Sequence, residues 1–169
     1  KSAVAVEPTN GIIYTLNDTG VPIDEEESQP ALLFDDIIRS DGKGEERIEK
    51  LENAADKAIT ESASSGMERQ YEIKYLDLVD ENNGNAWIKA SDKINIVWPY
   101  PEGTGADTKF QVLHFKGLYR DTNNGSTVTG FDPDDIDNVV PENVTIEKTA
   151  DGIRFSAEPG GFSPFVLVW

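Results

Sequence analysis

The sequence predicts an α+β protein, mainly an antiparallel β-sandwich with an N-terminal strand and helix segment packed on it. Three features carry that expectation. From residue 70 onward, short apolar runs recur about every ten residues between Gly, Asn, Asp and Pro, the punctuation of an antiparallel sandwich. Ahead of them, GEERIEKLENAADKAITES repeats Ile48, Leu51, Ala55, Ala58 and Ile59 at helical spacing, with Glu, Lys and Arg between. The closing stretch GGFSPFVLVW sets five apolar residues in its last six positions without alternation. That run reads as a central strand covered on both faces.

Taken in order, Val4 to Val6 and Gly11 to Leu16 are two short strand-like runs separated by turn residues. DEEESQP, residues 24 to 30, reads as a solvated loop. In LLFDDII (32 to 38) the apolar positions 33, 34, 37 and 38 have the spacing of a helical stripe. The amphipathic helix proper should run over about 43–63, and Glu46 and Lys50, four apart, would support it by a few tenths of a kcal/mol. Gly66 should end this unit.

From Tyr71 the period becomes two. YEIKYLDLV places Tyr71, Ile73 and Tyr75 on one face and then shifts to Leu76 and Leu78, a slip that predicts a bulge or strong twist. Asn83-Gly84 is a turn pair that tolerates the positive φ of a tight hairpin. KINIVW faces Ile94, Ile96 and Trp98 inward. KFQVLHF, VTIEK, IRFSA and SPFVLVW supply four further strands, and the Asp151-Gly152 turn joins two of them. Two units follow: residues 1–69, with early strands and the helix, and residues 70–169, the sandwich, both expected to form one folded unit.

Composition narrows the function. The net charge is −17, from 32 acidic against 15 basic residues. Such a surface repels phosphate backbones and anionic lipid, so a nucleic-acid partner is not expected. No run approaches the ~18 apolar residues of a membrane span, so membrane insertion is not expected either. Without cysteine the chain offers no thiolate site and no disulfide, and with one histidine, His114, a His-rich metal site or a serine–histidine pair is not expected. The first residue is Lys1 and the last is the apolar Trp169, so both ends read as cut from something longer.

The succession YLDLVDENNGNAW, VWPYPEG, FQVLHFKGL, a DG hairpin and FSPFVLVW resembles a module of long surface proteins from Gram-positive gut bacteria, which carry tandem immunoglobulin-like domains. The resemblance covers about residues 70 to 169. It implies an immunoglobulin-like, adhesin-type module, secreted and associated with the cell surface or cell wall. Its partners would be neighbouring domains of the same polypeptide and a host or bacterial glycan or protein. Proteins of this kind also carry lysine–asparagine or lysine–aspartate isopeptide crosslinks, for which Lys74 with Asp77 or Lys93 with Asn95 offer the atoms.

Candidate sites each stand beside a plainer reading. In NIVWPYPEGTG, Trp98 and Tyr100 flank Pro99, and aromatic faces on a rigid loop stack on sugar rings. The register of Trp98 points it into the core, which leaves Tyr100, with Tyr119, as the exposed ligand-binding candidates. DPDDIDN gathers Asp132, Asp134, Asp135 and Asp137, and DLVDENNGN gathers Asp77, Asp80, Asn82 and Asn85. Such oxygen-rich loops hold Ca2+ in other proteins. Neither fits an EF-hand, because Gly84 or Ile136 stands at the third ligand position, and solvated loop acids are the plainer reading. Carboxylates are abundant, yet no pair is isolated in an apolar setting as glycoside hydrolysis requires. No G-x-S-x-G, H-E-x-x-H or phosphate loop occurs, so no catalytic residue and no cofactor is expected.

The expectation is therefore a non-catalytic module for adhesion or ligand recognition. The alternative is a structural spacer in a wall-anchored protein, with an accessory domain of a glycan hydrolase behind both.

Overall fold

The computed structural model describes residues 5–6, 12–16, 20–24, 26–40, 42–59, 69–118, 131–158 and 164–169. Its elements are β1 (Ala5–Val6), β2 (Tyr14–Leu16), β3 (Pro30–Asp36), α1 (Gly44–Ala58), β4 (Tyr71–Asp80), β5 (Ala86–Ala90), β6 (Ile94–Trp98), β7 (Gln111–His114), β8 (Glu142–Val144), β9 (Glu147–Lys148), β10 (Ile153–Ala157) and β11 (Phe165–Val168). Every strand pair is antiparallel. Short 3-10 turns span Glu81–Asn83 and Pro133–Asn138.

Two sheets result. One has the order β1-β6-β10-β9, and the other β2-β5-β4-β11-β7-β8, with β3 on the free side of β4. Their facing sides enclose a core that includes Leu76, Leu78, Ile94, Ile96, Trp98, Phe155, Phe165 and Leu167. On the outer side of the larger sheet, Ile48, Leu51 and Ala55 of α1 pack on Ile73, Tyr75, Val166 and Val168, with Phe131 and Ile136 beside them. The architecture is a sandwich of two antiparallel sheets with a helix laid over the larger one.

This layering explains the pattern in YEIKYLDLV. β4 is one unbroken strand whose register with β3 runs without a skip from Asp36–Lys74 to Pro30–Asp80. The expected bulge is absent from that pairing. Ile73 and Tyr75 serve the helix side while Leu76 and Leu78 serve the inter-sheet side, so both parities are apolar because both faces are buried. β11 shows the same logic: it lies between β4 and β7, and all four of its residues are buried.

Other expectations change. LLFDDII does not form a helix; residues up to Asp36 form β3 and pair along β4, with Leu32 and Phe34 packed on the inter-sheet core. The apolar positions at 33, 34, 37 and 38 fit a helical stripe, but a ready ladder of backbone partners outweighs local spacing. α1 is shorter than expected, ending at Ala58 with Ile59 already extended; residues 60–63 and Gly66 lie outside the described residues. Lys50 reaches Asp134 and Asp137 rather than Glu46. VTIEK is not one strand: β8 joins the larger sheet through β7, whereas β9 joins the smaller through β10. The hairpin after β4 carries its positive φ at Gly84 and Asn85, one residue later than the pair expected from the sequence.

The segment 1–69 is woven into both sheets. β1 pairs with β6, β2 with β5 and β3 with β4, so the sandwich includes strands from either side of residue 70.

Candidate functional site

A groove of about 350 Å³ opens where β3 parts from β4 beneath α1. The local sequence explains the opening. β3 holds its register as far as Asp36 opposite Lys74 and then turns through Ile37 and Arg39 toward α1. At the start of α1, Gly44 lies so close to the loop that an added Cβ would stand 1.9 Å from the Ile38 carbonyl oxygen. Only glycine permits that crossing.

The floor is apolar, formed by Ile37, Ile48 and Ile73, all buried. Asp36, Glu52 and Glu72 contribute carboxylates, Arg39 a guanidinium and Tyr71 a phenol. Four of these five polar groups are anchored by a neighbouring side chain. Arg39 donates to Glu45 at 3.3 Å. Glu72 accepts the indole N–H of Trp98 at 2.7 Å. Asp36 pairs with the buried ammonium of Lys74, which also lies 4.9 Å from the centre of the Phe34 ring. The Tyr71 hydroxyl donates to Asp56 at 2.8 Å, and Arg69 pairs with the same carboxylate.

These contacts shape the electrostatics. Burial, then the hydrogen bond to Asp56, pushes the Tyr71 phenol up to about 12. The Tyr71 hydroxyl and then Arg69 hold the Asp56 carboxyl below its usual range. Burial raises Glu52 above the usual carboxylate range, opposed by Arg39. An apolar floor with charged, pre-positioned side chains around it suits a ligand that has both an apolar stem and a polar or cationic group.

The residues singled out in the sequence lie elsewhere. Trp98 is fully buried in the inter-sheet core, edge-on to Phe34 at 5.1 Å. Tyr100 is half-buried rather than exposed: it stacks on Phe110 at 5.9 Å and donates its hydroxyl to the Thr149 carbonyl at 2.6 Å. Its strand-end position made it look free, but the β9–β10 turn folds over it. Tyr119 lies outside the described residues.

Asp132 caps the 3-10 turn by accepting the Asp134 N–H at 3.0 Å. Asp134 and Asp137 hold Lys50 at 3.2 and 3.4 Å, and Asp135 is exposed. In the other acidic run, the buried Asp80 carboxylate accepts the N–H groups of Gln29 and Asn82 at 2.9 and 3.1 Å. Among the described residues no group of three or more acidic or histidine side chains is placed to hold a metal ion. In the two acidic loops considered for calcium, Asp80 and Asp132 cap turns and Asp134 and Asp137 dock α1 through Lys50. Lys93 pairs with Glu158 at 3.3 Å, and His114 stacks on Phe165 at 4.1 Å inside the sheet.

Sequence reasoning missed the groove because its members come from β3 and the turn after it, α1 and β4, spread across residues 36 to 73. The only local signal was charge beside the first strand residues, Arg69 and Glu72 around Tyr71. No family model matches the chain, and comparisons with curated proteins and with solved structures find no match.

Proposed function

We propose that this protein is a non-catalytic recognition module of an extracellular bacterial surface protein, an immunoglobulin-like domain that takes a glycan or protein ligand in the groove between β3, β4 and α1. The observation that carries the reading is the groove itself: an apolar floor beside polar side chains, of which Asp36, Arg39, Tyr71 and Glu72 are held by neighbouring side chains. Sites built on rigid elements and locked by supporting contacts bind without a large ordering cost.

Surface association rests on the sequence resemblance.

An array of host and bacterial glycans and extracellular-matrix proteins, probed with and without calcium, tests the reading. The expected result is a reproducible hit that Glu52→Lys weakens at least tenfold while the thermal midpoint stays within a few degrees. Silence across the array, or hits indifferent to Glu52→Lys and Arg39→Glu, would count against it.

A further inference from the structure

Gln70 and Trp169 exchange both backbone hydrogen bonds, at 2.8 and 3.1 Å. In an antiparallel ladder, such doubly bonded pairs alternate with pairs whose backbone groups point outward. With Glu72 opposite Leu167 and Lys74 opposite Phe165, those residues also bond toward β11. The N–H and C=O groups of Tyr71 and Ile73 therefore point to the other edge of β4.

β3 covers that edge only as far as Lys74. Beyond it no described residue pairs with Tyr71 or Ile73 on that side. The groove lies along this open stretch, lined by Tyr71, Glu72 and Ile73 from β4 and by Ile37, Ile48 and Glu52 across from them. It therefore combines a ladder left unfinished among the described residues, an apolar floor and a rim richer in carboxylate than in base. The chain as a whole carries −17.

We propose that the groove is a strand-addition site, taking an extended peptide segment with a basic side chain that continues the ladder on β4 where β3 leaves it. The proposal rests on the groove being the recognition site and names its ligand class. Main-chain bonds to Tyr71 and Ile73 would supply affinity, and alternate side chains would supply selectivity. Side chains opposite Tyr71 and Ile73 share their face of the sheet and meet the isoleucine floor beneath α1. An ammonium or guanidinium arriving there finds the Glu52 carboxylate, with Arg39 already engaged by Glu45 and Asp36 by Lys74.

The test uses the whole protein and a pool of acetylated, amidated hexapeptides that alternate valine with lysine. Hydrogen exchange followed by NMR should show the Tyr71 and Ile73 amides slowing on binding, while Glu72, already bonded to β11, is unchanged. N-methylation of the two edge-facing peptide amides should weaken binding at least about tenfold, and Glu52→Lys should weaken it as well. Absence of binding by the whole pool, indifference to N-methylation, or protection without alternation overturns strand addition. A glycan hit that Glu52→Lys removes would leave the groove as a recognition site and overturn the peptide assignment. Self-association through this edge, seen as concentration-dependent protection of Tyr71 and Ile73 without peptide, overturns it in favour of a second copy.

Discussion

The indole N–H of Trp98 donates to the Glu72 carboxylate across the two facing sheets at 2.7 Å. The bond joins the core of the smaller sheet to the β4 residue that borders the groove. Removing the acceptor leaves a buried donor unsatisfied, which costs about 1–3 kcal/mol. Glu72→Ala should lower the urea midpoint accordingly at an unchanged slope. Glu72→Gln, which keeps an acceptor oxygen, should lose less than about 1 kcal/mol.

Asp80 ties the hairpin to the strand before it. Its buried carboxylate serves the N–H groups of Gln29 and Asn82, so Asp80→Ala should cost about 1–3 kcal/mol. Asp80→Asn retains one acceptor and should cost less. Adding calcium should not rescue Asp80→Ala if the carboxylate acts as a cap; thermal melts with and without the ion decide this.

The Tyr71 phenol, pushed up to about 12 from an ordinary 10.0, has a folded value above its unfolded one. Its contribution is therefore complete below pH 10 and drains away as pH rises toward 12. Tyrosinate absorbance should show a late-titrating phase near pH 12 that Tyr71→Phe removes. Asp56 has the opposite sign: its lowered carboxyl contributes above the ordinary carboxylate range and is lost as pH falls below it. Tyr71→Phe should also shrink that acid-side loss.

Gly152 closes the β9–β10 turn at φ 155°, and an added Cβ would lie 2.2 Å from the Trp98 carbonyl oxygen. Backbone cannot yield there without disturbing the β6–β10 register. Gly152→Ala should destabilise by about 1–3 kcal/mol. Gly103→Ala, also at positive φ but with open space around the new methyl, should cost less. Comparing their midpoints separates the clash from the dihedral.

Leu51 is fully buried between α1 and the larger sheet. Leu51→Ala should cost about 2–5 kcal/mol. Near-ultraviolet and far-ultraviolet signals should fall in one coincident transition, because α1, β2 and β3 share cores with the later strands. Two separated transitions would instead make residues 1–69 an independent unit.

Much of the architecture was legible locally. The inward register of Ile94, Ile96 and Trp98, the strand IRFSA, the amphipathic α1 and the doubly covered β11 all follow from periodicity, because burial imprints a face on each segment. Local spacing failed at LLFDDII and at YEIKYLDLV. In both, the partner strands or the second buried face lie far away in sequence.

By itself, then, the sequence determined an acidic chain without cysteine, the antiparallel sandwich and most of its strand faces. These depend on residue chemistry and near-neighbour spacing. Tertiary structure alone decided that Tyr100 is tucked under a turn, that Lys50 is shared by Asp134 and Asp137, and that β3 leaves β4 at Asp36 to open a groove under α1. Such outcomes depend on which distant backbone edges and side chains meet, and no local pattern encodes that meeting.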